Sequence, residues 1–184
     1  MKQGFLRMLV ACSLCLVPGF SHAHPETGLL PDAIAEMEYR IVLEITPTDI
    51  KTRNKLGIVY YRKNKLKEAE REFAEVLRAA PKDFDAHDGM GLVKLKENKN
   101  EDAVAWLQKA VALTSEDTMV HHSLGLALEQ TGKLREAEAS YLKGLEVNER
   151  LIRKGVNRDK ELERKNTLLS ALNNLRIRIK SAQR

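Results

Sequence analysis

The sequence predicts an all-α protein made by stacking one helical unit several times. Three observations carry this. Alanines fall at Ala35, Ala69, Ala103 and Ala137, each 34 residues from the next. Four residues after each comes a large side chain (Tyr39, Phe73, Leu107, Tyr141), and eight after comes an aliphatic one (Leu43, Leu77, Val111, Leu145). Those spacings describe one face of a helix. Twelve residues before each of the last three alanines stands a glycine (Gly57, Gly91, Gly125), preceded by Leu56, Met90 or Leu124. Pro47 and Pro81 keep the same period.

A 34-residue unit with this content resembles the tetratricopeptide repeat. The resemblance covers Pro31 to Asn148 and implies a right-handed α-solenoid of helix pairs. Glycine on the first helix and alanine on the second would let the backbones of a pair approach. The large residues after each alanine would fill the space against the next unit. One pair cannot bury its apolar face alone, so three or more must stack.

Counting from the alanines divides the chain. A half repeat covers 31–49, and full repeats cover 50–83, 84–117 and 118–151. A basic capping helix is expected over 152–184. In the half repeat, Pro31-Asp32 opens a helix that carries Ala35, because proline suits the first turn and an acid suits its positive end. The missing first helix would fall on residues 16–29, and Leu29 and Leu30 either cover the outer face or leave it open. Asp49 is the expected N-cap of the next helix, and Asn64 takes the turn position that tolerates a left-handed backbone. The second full repeat diverges most. Lys94 and Asn100 replace apolar residues, Ser115 replaces the closing proline, and Asn100 is the expected N-cap before Glu101. Gly132 turns the third repeat. Gly155-Val156-Asn157 then breaks the pattern. Leu168, Leu172, Leu175 and Ile179 form one face of a last helix, widened by Leu162 and Leu169.

Composition agrees with this architecture. The 184 residues are 31% charged and only 5% aromatic, which suits a surface-rich helical stack better than a sheet protein. Both cysteines, Cys12 and Cys15, lie in an N-terminal stretch that reads as a signal peptide over 1–23. Lys2 and Arg7 precede the apolar run Met8–Val17, which is too short to span a membrane. Ser21-His22-Ala23 supplies small residues for cleavage, and 24–30 is a connector. Export to the periplasm is therefore expected. Leu9-Val10-Ala11-Cys12 resembles a lipobox, so a lipid anchor at Cys12 is the alternative. Charge is uneven: residues 24–149 carry 18 Lys/Arg against 23 Asp/Glu, and residues 150–184 carry 11 against 3.

No phosphate loop, nucleophile motif or cysteine ligand set is present, so neither an enzyme nor a cofactor is expected. His87 and His121 share one repeat position, expected inside the helix pair, and His122 should face the concave side. A haem- or metal-binding carrier built on these three is the alternative from a different class. Adjacent His121 and His122 point about 100° apart, which disfavours one shared ion. Mature His24 is a weaker copper candidate.

The family likeness instead implies a peptide- or helix-binding groove lined by the first helices. By repeat position its lining would include Lys51, Asn54, Ile58, Tyr61, Arg62, Asp88, Leu92, Leu95, Lys96, His122, Leu126 and Glu129. Ile58, Leu92 and Leu126 form a second 34-residue ladder, either a strip for partner side chains or packing within the stack. A carboxylate clamp known in one subfamily is absent, since Asn54, Ile58, Leu92, Met119 and Ser123 occupy its positions.

The expected role is a non-catalytic scaffold or assembly factor for exported proteins. Likeness to exported relatives suggests apocytochromes or components of pili and envelope complexes as partners, in the last case with the chain as an outer-membrane lipoprotein. Nucleic acid is disfavoured by export and by the lack of aromatics in the tail. The basic helix could contact an anionic membrane, dock an acidic partner or pair with itself. Mass spectrometry of the purified protein should find its N-terminus at His24; a lipidated Cys12 would replace this reading with the anchored one.

Overall fold

The computed structural model describes residues 31–114 and 116–182. The leader over 1–23, Cys12, the connector 24–30 and Ser115 lie outside the described residues.

The described residues form eight helices and no strand, in the expected right-handed solenoid. Helix α1 spans Asp32–Ile45, α2 Ile50–Arg62, α3 Leu66–Ala79, α4 Phe84–Lys96 and α5 Asn100–Leu113. Then come α6 over Thr118–Gln130, α7 over Leu134–Arg153 and α8 over Arg158–Ala182. Each helix packs on the next, and α2, α4 and α6 also touch in sequence, so these first helices line one surface. Among the described residues helix α1 touches only α2, whereas α8 packs at the other end on α6 and α7.

The period is written into the helix ends. Asp49, Asp83 and Asp117 N-cap α2, α4 and α6, their carboxylates accepting from the backbone N–H groups of Thr52, Ala86, and Met119 and Val120. Such caps stabilise a helix by about 1 kcal/mol each. The turns inside each pair pass through a left-handed residue at the matching position: Asn64 (φ 60°), Asn98 (φ 59°) and Gly132 (φ 77°). Asparagine and glycine reach that region with least strain. Asn100 is not the N-cap that its sequence context suggests. The cap position is Lys99, whose side chain makes no capping bond, and Asn100 is the first helical residue. The left-handed Asn98 already delivers the chain into α5, so the side-chain cap is dispensable.

Each glycine of the ladder receives a large side chain from the second helix of its own pair. A Cβ added to Gly57 would lie 2.7 Å from Phe73 Cε1. The corresponding approaches are 2.5 Å from Gly91 to Leu107 Cγ and 2.4 Å from Gly125 to Tyr141 Cε1. The glycine thus admits a side chain, rather than only letting two backbones meet. Phe73 also presses on Gly89 of the following pair, 2.3 Å from its would-be Cβ, so one ring joins two repeats. Phe73, Leu107 and Tyr141 are all fully buried, as are Ala69, Ala103 and Ala137.

Lys94, the polar residue at a position of the core, is buried too. Its ammonium donates to Glu70 at 2.6 Å and Glu97 at 3.3 Å, so the charge enters the stack already paired.

The last helix joins the core. Leu168, Leu172 and Leu175 are buried with Tyr141, and Ile179 packs against them. Glu161 is buried at its N-terminal end. It accepts from Thr118 Oγ1 at 2.8 Å and Asn148 Nδ2 at 2.8 Å, and pairs with Arg164. Burial alone would raise its pKa, but the Thr118 and Asn148 bonds and the Arg164 charge hold it low. Leu162 and Leu169 do not widen the packed face as expected; both are exposed. Leu169 follows Leu168 directly, and one residue turns a helix by about 100°, which takes it off the buried side. Helix α7 runs on to Arg153, past the end of the alanine count, and Gly155 and Asn157 at positive φ make the turn into α8.

Replacing Gly125 with alanine should overpack this contact and lower unfolding stability by about 1–3 kcal/mol. Urea titration followed by circular dichroism measures this. An unchanged midpoint would mean that Tyr141 has another place to go.

Candidate functional site

The concave surface is set by α2, α4 and α6. A cleft of about 420 Å³ opens between α4 and α6, with Tyr61 at one margin. Its lining takes in six of the twelve residues expected in the groove: Tyr61, Leu92, Leu95, Lys96, His122 and Leu126. Asn98, Asn100, Met119, Ser123 and Gln130 complete it. Met119 and Ser123 had a visible signal, since they occupy two positions of the absent carboxylate clamp. Asn98 comes from the turn of the second repeat and Asn100 is the first residue of α5, so both reach the cleft where the pair folds back.

The cleft lining mixes apolar Leu92, Leu95, Met119 and Leu126 with polar Lys96, Asn98, Asn100, Ser123 and Gln130. Leu92 is half-buried, and Leu126 is 37% exposed, so this pair of ladder rungs does offer apolar surface. Ile58 behaves differently. It packs against the core of the first repeats and does not line the cleft. The 34-residue ladder therefore splits between the two uses expected of it. Lys96 bridges the margin: its ammonium lies 4.5 Å from the Tyr61 ring centroid and donates to the Tyr61 carbonyl at 3.0 Å. That arrangement orients the aromatic ring and leaves a cation at the cleft edge.

Three of the other expected residues have structural partners. Asn54 is buried and donates to Asp83 Oδ1 at 2.9 Å, tying α2 to the cap of α4. Arg62 pairs with Asp32 of α1, with Nε 2.8 Å from Oδ1. Glu129 accepts from the Tyr141 hydroxyl at 3.1 Å and pairs with Arg178 of α8. Lys51 is exposed on the first turn of α2.

The three histidines are separately packed. The His87 Nδ1–H donates to the Asp83 carbonyl at 2.8 Å, and its ring lies 5.5 Å from that of Trp106. His121 is buried beside α7, where its carbonyl accepts from Ser140. His122 faces the cleft, its ring 5.8 Å from Tyr141, and burial lowers its pKa so that it stays neutral at pH 7. Among the described residues, no group of three His, Cys, Asp or Glu side chains is placed to hold a metal.

Asp88, expected in the groove, lies outside the cleft lining and is chemically distinctive. Its Oδ1 is buried without a hydrogen-bond partner, and the carboxyl makes no ion pair among the described residues. Burial, then the charges of Asp117 and Asp85, push its pKa up to about 7. Between pH 4 and 7 the unfolded chain ionises this group while the folded chain keeps its proton. The unfolded state then binds fewer protons, so this residue makes stability fall as pH rises. Asp88→Asn should therefore match the parent protein near pH 4 and exceed it by about 2–4 kcal/mol at pH 8. Denaturation midpoints at the two pH values test this; equal offsets at both would mean that the carboxyl is solvated.

Two matches, both described as tetratricopeptide repeat, cover residues 54–118 and 120–150. No curated protein matches the sequence. Among solved structures, one of MamA superposes with a TM-score of 0.57 at 20% identity, over 83% of this chain and 92% of that one. MamA from Desulfovibrio magneticus gives a TM-score of 0.57 at 19% identity, over 78% and 86%. The Yersinia enterocolitica type III secretion translocator chaperone SycD gives 0.62 at 17% identity, over 71% and 86%. At such identities these likenesses establish a shared fold. Together with the helix-pair geometry and the repeat matches, they show that the chain belongs to the tetratricopeptide-repeat family.

Proposed function

We propose that the chain is an exported, periplasmic scaffold or assembly factor that holds a segment of a partner protein along its concave face. One observation carries the reading. Leu92, Leu95 and Leu126 leave apolar surface in a cleft that Tyr61, Lys96 and His122 also line. Exposed apolar surface is costly in water, and a concave strip with polar edges suits an extended peptide or an amphipathic helix. The cleft is large enough for one or two bulky side chains and too open to enclose a small substrate. Its titratable groups do not form an acid–base or nucleophilic constellation of the kind catalysis needs.

Export is supported by the leader-like first 23 residues, with the lipid anchor at Cys12 as the competing arrangement. The partner would be another exported protein, such as an apocytochrome or a component of a pilus or envelope complex. The basic helix α8 is a second contact region, for an acidic partner or an anionic membrane surface. Among the described residues, no helix is long and apolar enough to cross a membrane.

Leu92→Asp combined with Leu126→Asp should abolish capture of partners from an envelope extract while the helical circular dichroism persists. Capture that survives the double change would remove the cleft as the binding surface. Repeating the capture at low and high salt separates cleft binding from binding through α8, because exposed charge contacts are screened by salt.

A further inference from the structure

Exposed apolar side chains gather at the two ends of the stack. Of eleven large ones among the described residues, seven lie on α1 and α8. On α1 they are Ile34, Met37, Ile41 and Ile45, spaced three, four and four residues apart, which is one continuous stripe. Met37 is 60% exposed and Ile45 is 57% exposed. Among the described residues α1 packs on α2 alone, and the stripe lies on the side of α1 away from buried Ala35. On α8, Leu162 and Leu169 lie two turns apart, about 100° round the helix from the buried face of Leu168, Leu172 and Leu175, and Ile177 lies further round on the same side. A solenoid ordinarily ends in polar surface, because each repeat leaves an apolar face that only the next repeat would cover.

The two ends differ in charge. Helix α1 holds four acids (Asp32, Glu36, Glu38, Glu44) and one base, Arg40. Asp32 and Glu36 are paired within the chain, but exposed Glu38 and Glu44 make no ion pair among the described residues and flank the stripe. Helix α8 holds seven bases and three acids. Arg158 lies one turn before Leu162 and Lys180 lies three turns after Leu169, on the same side. Both are exposed and make no ion pair among the described residues; with exposed, unpaired Lys160, Asp159 and Glu163 counted, the free charge of α8 is three positive against two negative.

We infer that the occupant of each end is a second copy of this chain: the acidic-rimmed stripe of α1 docks against the basic outer face of α8. The contact joins two different surfaces, so it leaves a free α1 and a free α8 at the ends of every assembly. It grows head to tail, instead of closing as a two-fold dimer does. The concave cleft stays outside the contact, and its lining would line up from copy to copy. This inference stands apart from the identity of any cleft partner.

Sedimentation velocity on the purified protein, with the N-terminus it carries on isolation, tests the contact. The average mass should rise with concentration and fall when salt is added, since the flanking charges are exposed. Two variants block one end each at exposed positions: Met37→Gln with Ile41→Gln, and Leu162→Gln with Leu169→Gln. Each alone should remain monomeric with unchanged circular dichroism. Their equimolar mixture should give dimers and nothing larger, because only one intact head and one intact tail are left. Three results would overturn the inference. One is a monomer up to about 1 mM, which would mean that other residues of the chain cover α1. Another is a dimer that either variant alone retains, which marks a contact elsewhere. The last is a mixture that stays monomeric while the parent protein dimerises, which marks a two-fold contact. Vesicles rich in anionic lipid form a control arm: binding through α8 without self-association counts against the inference and assigns that face to membrane.

Discussion

The fold depends on one repeated contact, a bulky side chain seated on the bare backbone of a glycine. Phe73 on Gly57, Leu107 on Gly91 and Tyr141 on Gly125 each bring the second helix of a pair within reach of the first. A methyl group at any of these glycines would occupy the space of the ring or the branched carbon. Close approach is what allows the small Ala69, Ala103 and Ala137 to be fully buried beside them. Phe73 extends the same contact to Gly89, so the joint between repeats has the same physical origin as the joint within one. The aspartate caps and left-handed turns repeat at the same interval, and local and tertiary preferences therefore agree along the stack.

The surface that follows has a division of labour. Second helices bury their apolar faces and leave charge outside. First helices touch one another and leave a cleft where Leu92 and Leu126 remain partly in water, while Asp88, outside the cleft lining, keeps a buried Oδ1 without a hydrogen-bond partner. At the far end, α8 is drawn into the stack by Leu168, Leu172, Leu175 and the buried Glu161 cluster, while its other side stays basic. The acidic body and basic tail seen in the charge count are thus distinct surfaces of one stack.

The repeat architecture was legible in the sequence because it depends on residues at constant spacing. The interval of 34 placed the helices, the turn residues Asn64 and Gly132, and the N-cap Asp49. Asp83 and Asp117 carried the same capping signal in register and could have been read in the same way. The candidate site was legible only in part. Position in the repeat selects the concave side, but it does not say which side chains are consumed by neighbours. Asn54, Arg62 and Glu129 found partners on α4, α1 and α8, the last of them 49 residues away in sequence. Asn98 and Asn100 entered the cleft through the path of a turn.

By itself, then, the sequence determined the period, the helix pairs, the left-handed turns and the residue types that let helices approach. These are local or strictly periodic, and each follows from the geometry of one helix or one turn. Only the tertiary structure decided which rungs of a ladder stay open. It packed Ile58 against the core and left Leu126 at the cleft, although both hold the same position in their repeats. It turned Leu162 and Leu169 outward and left the stripe of α1 uncovered among the described residues. Exposure depends on what packs from a neighbouring helix. That differs at the middle and at the two ends of a finite stack, while the repeat pattern is the same everywhere.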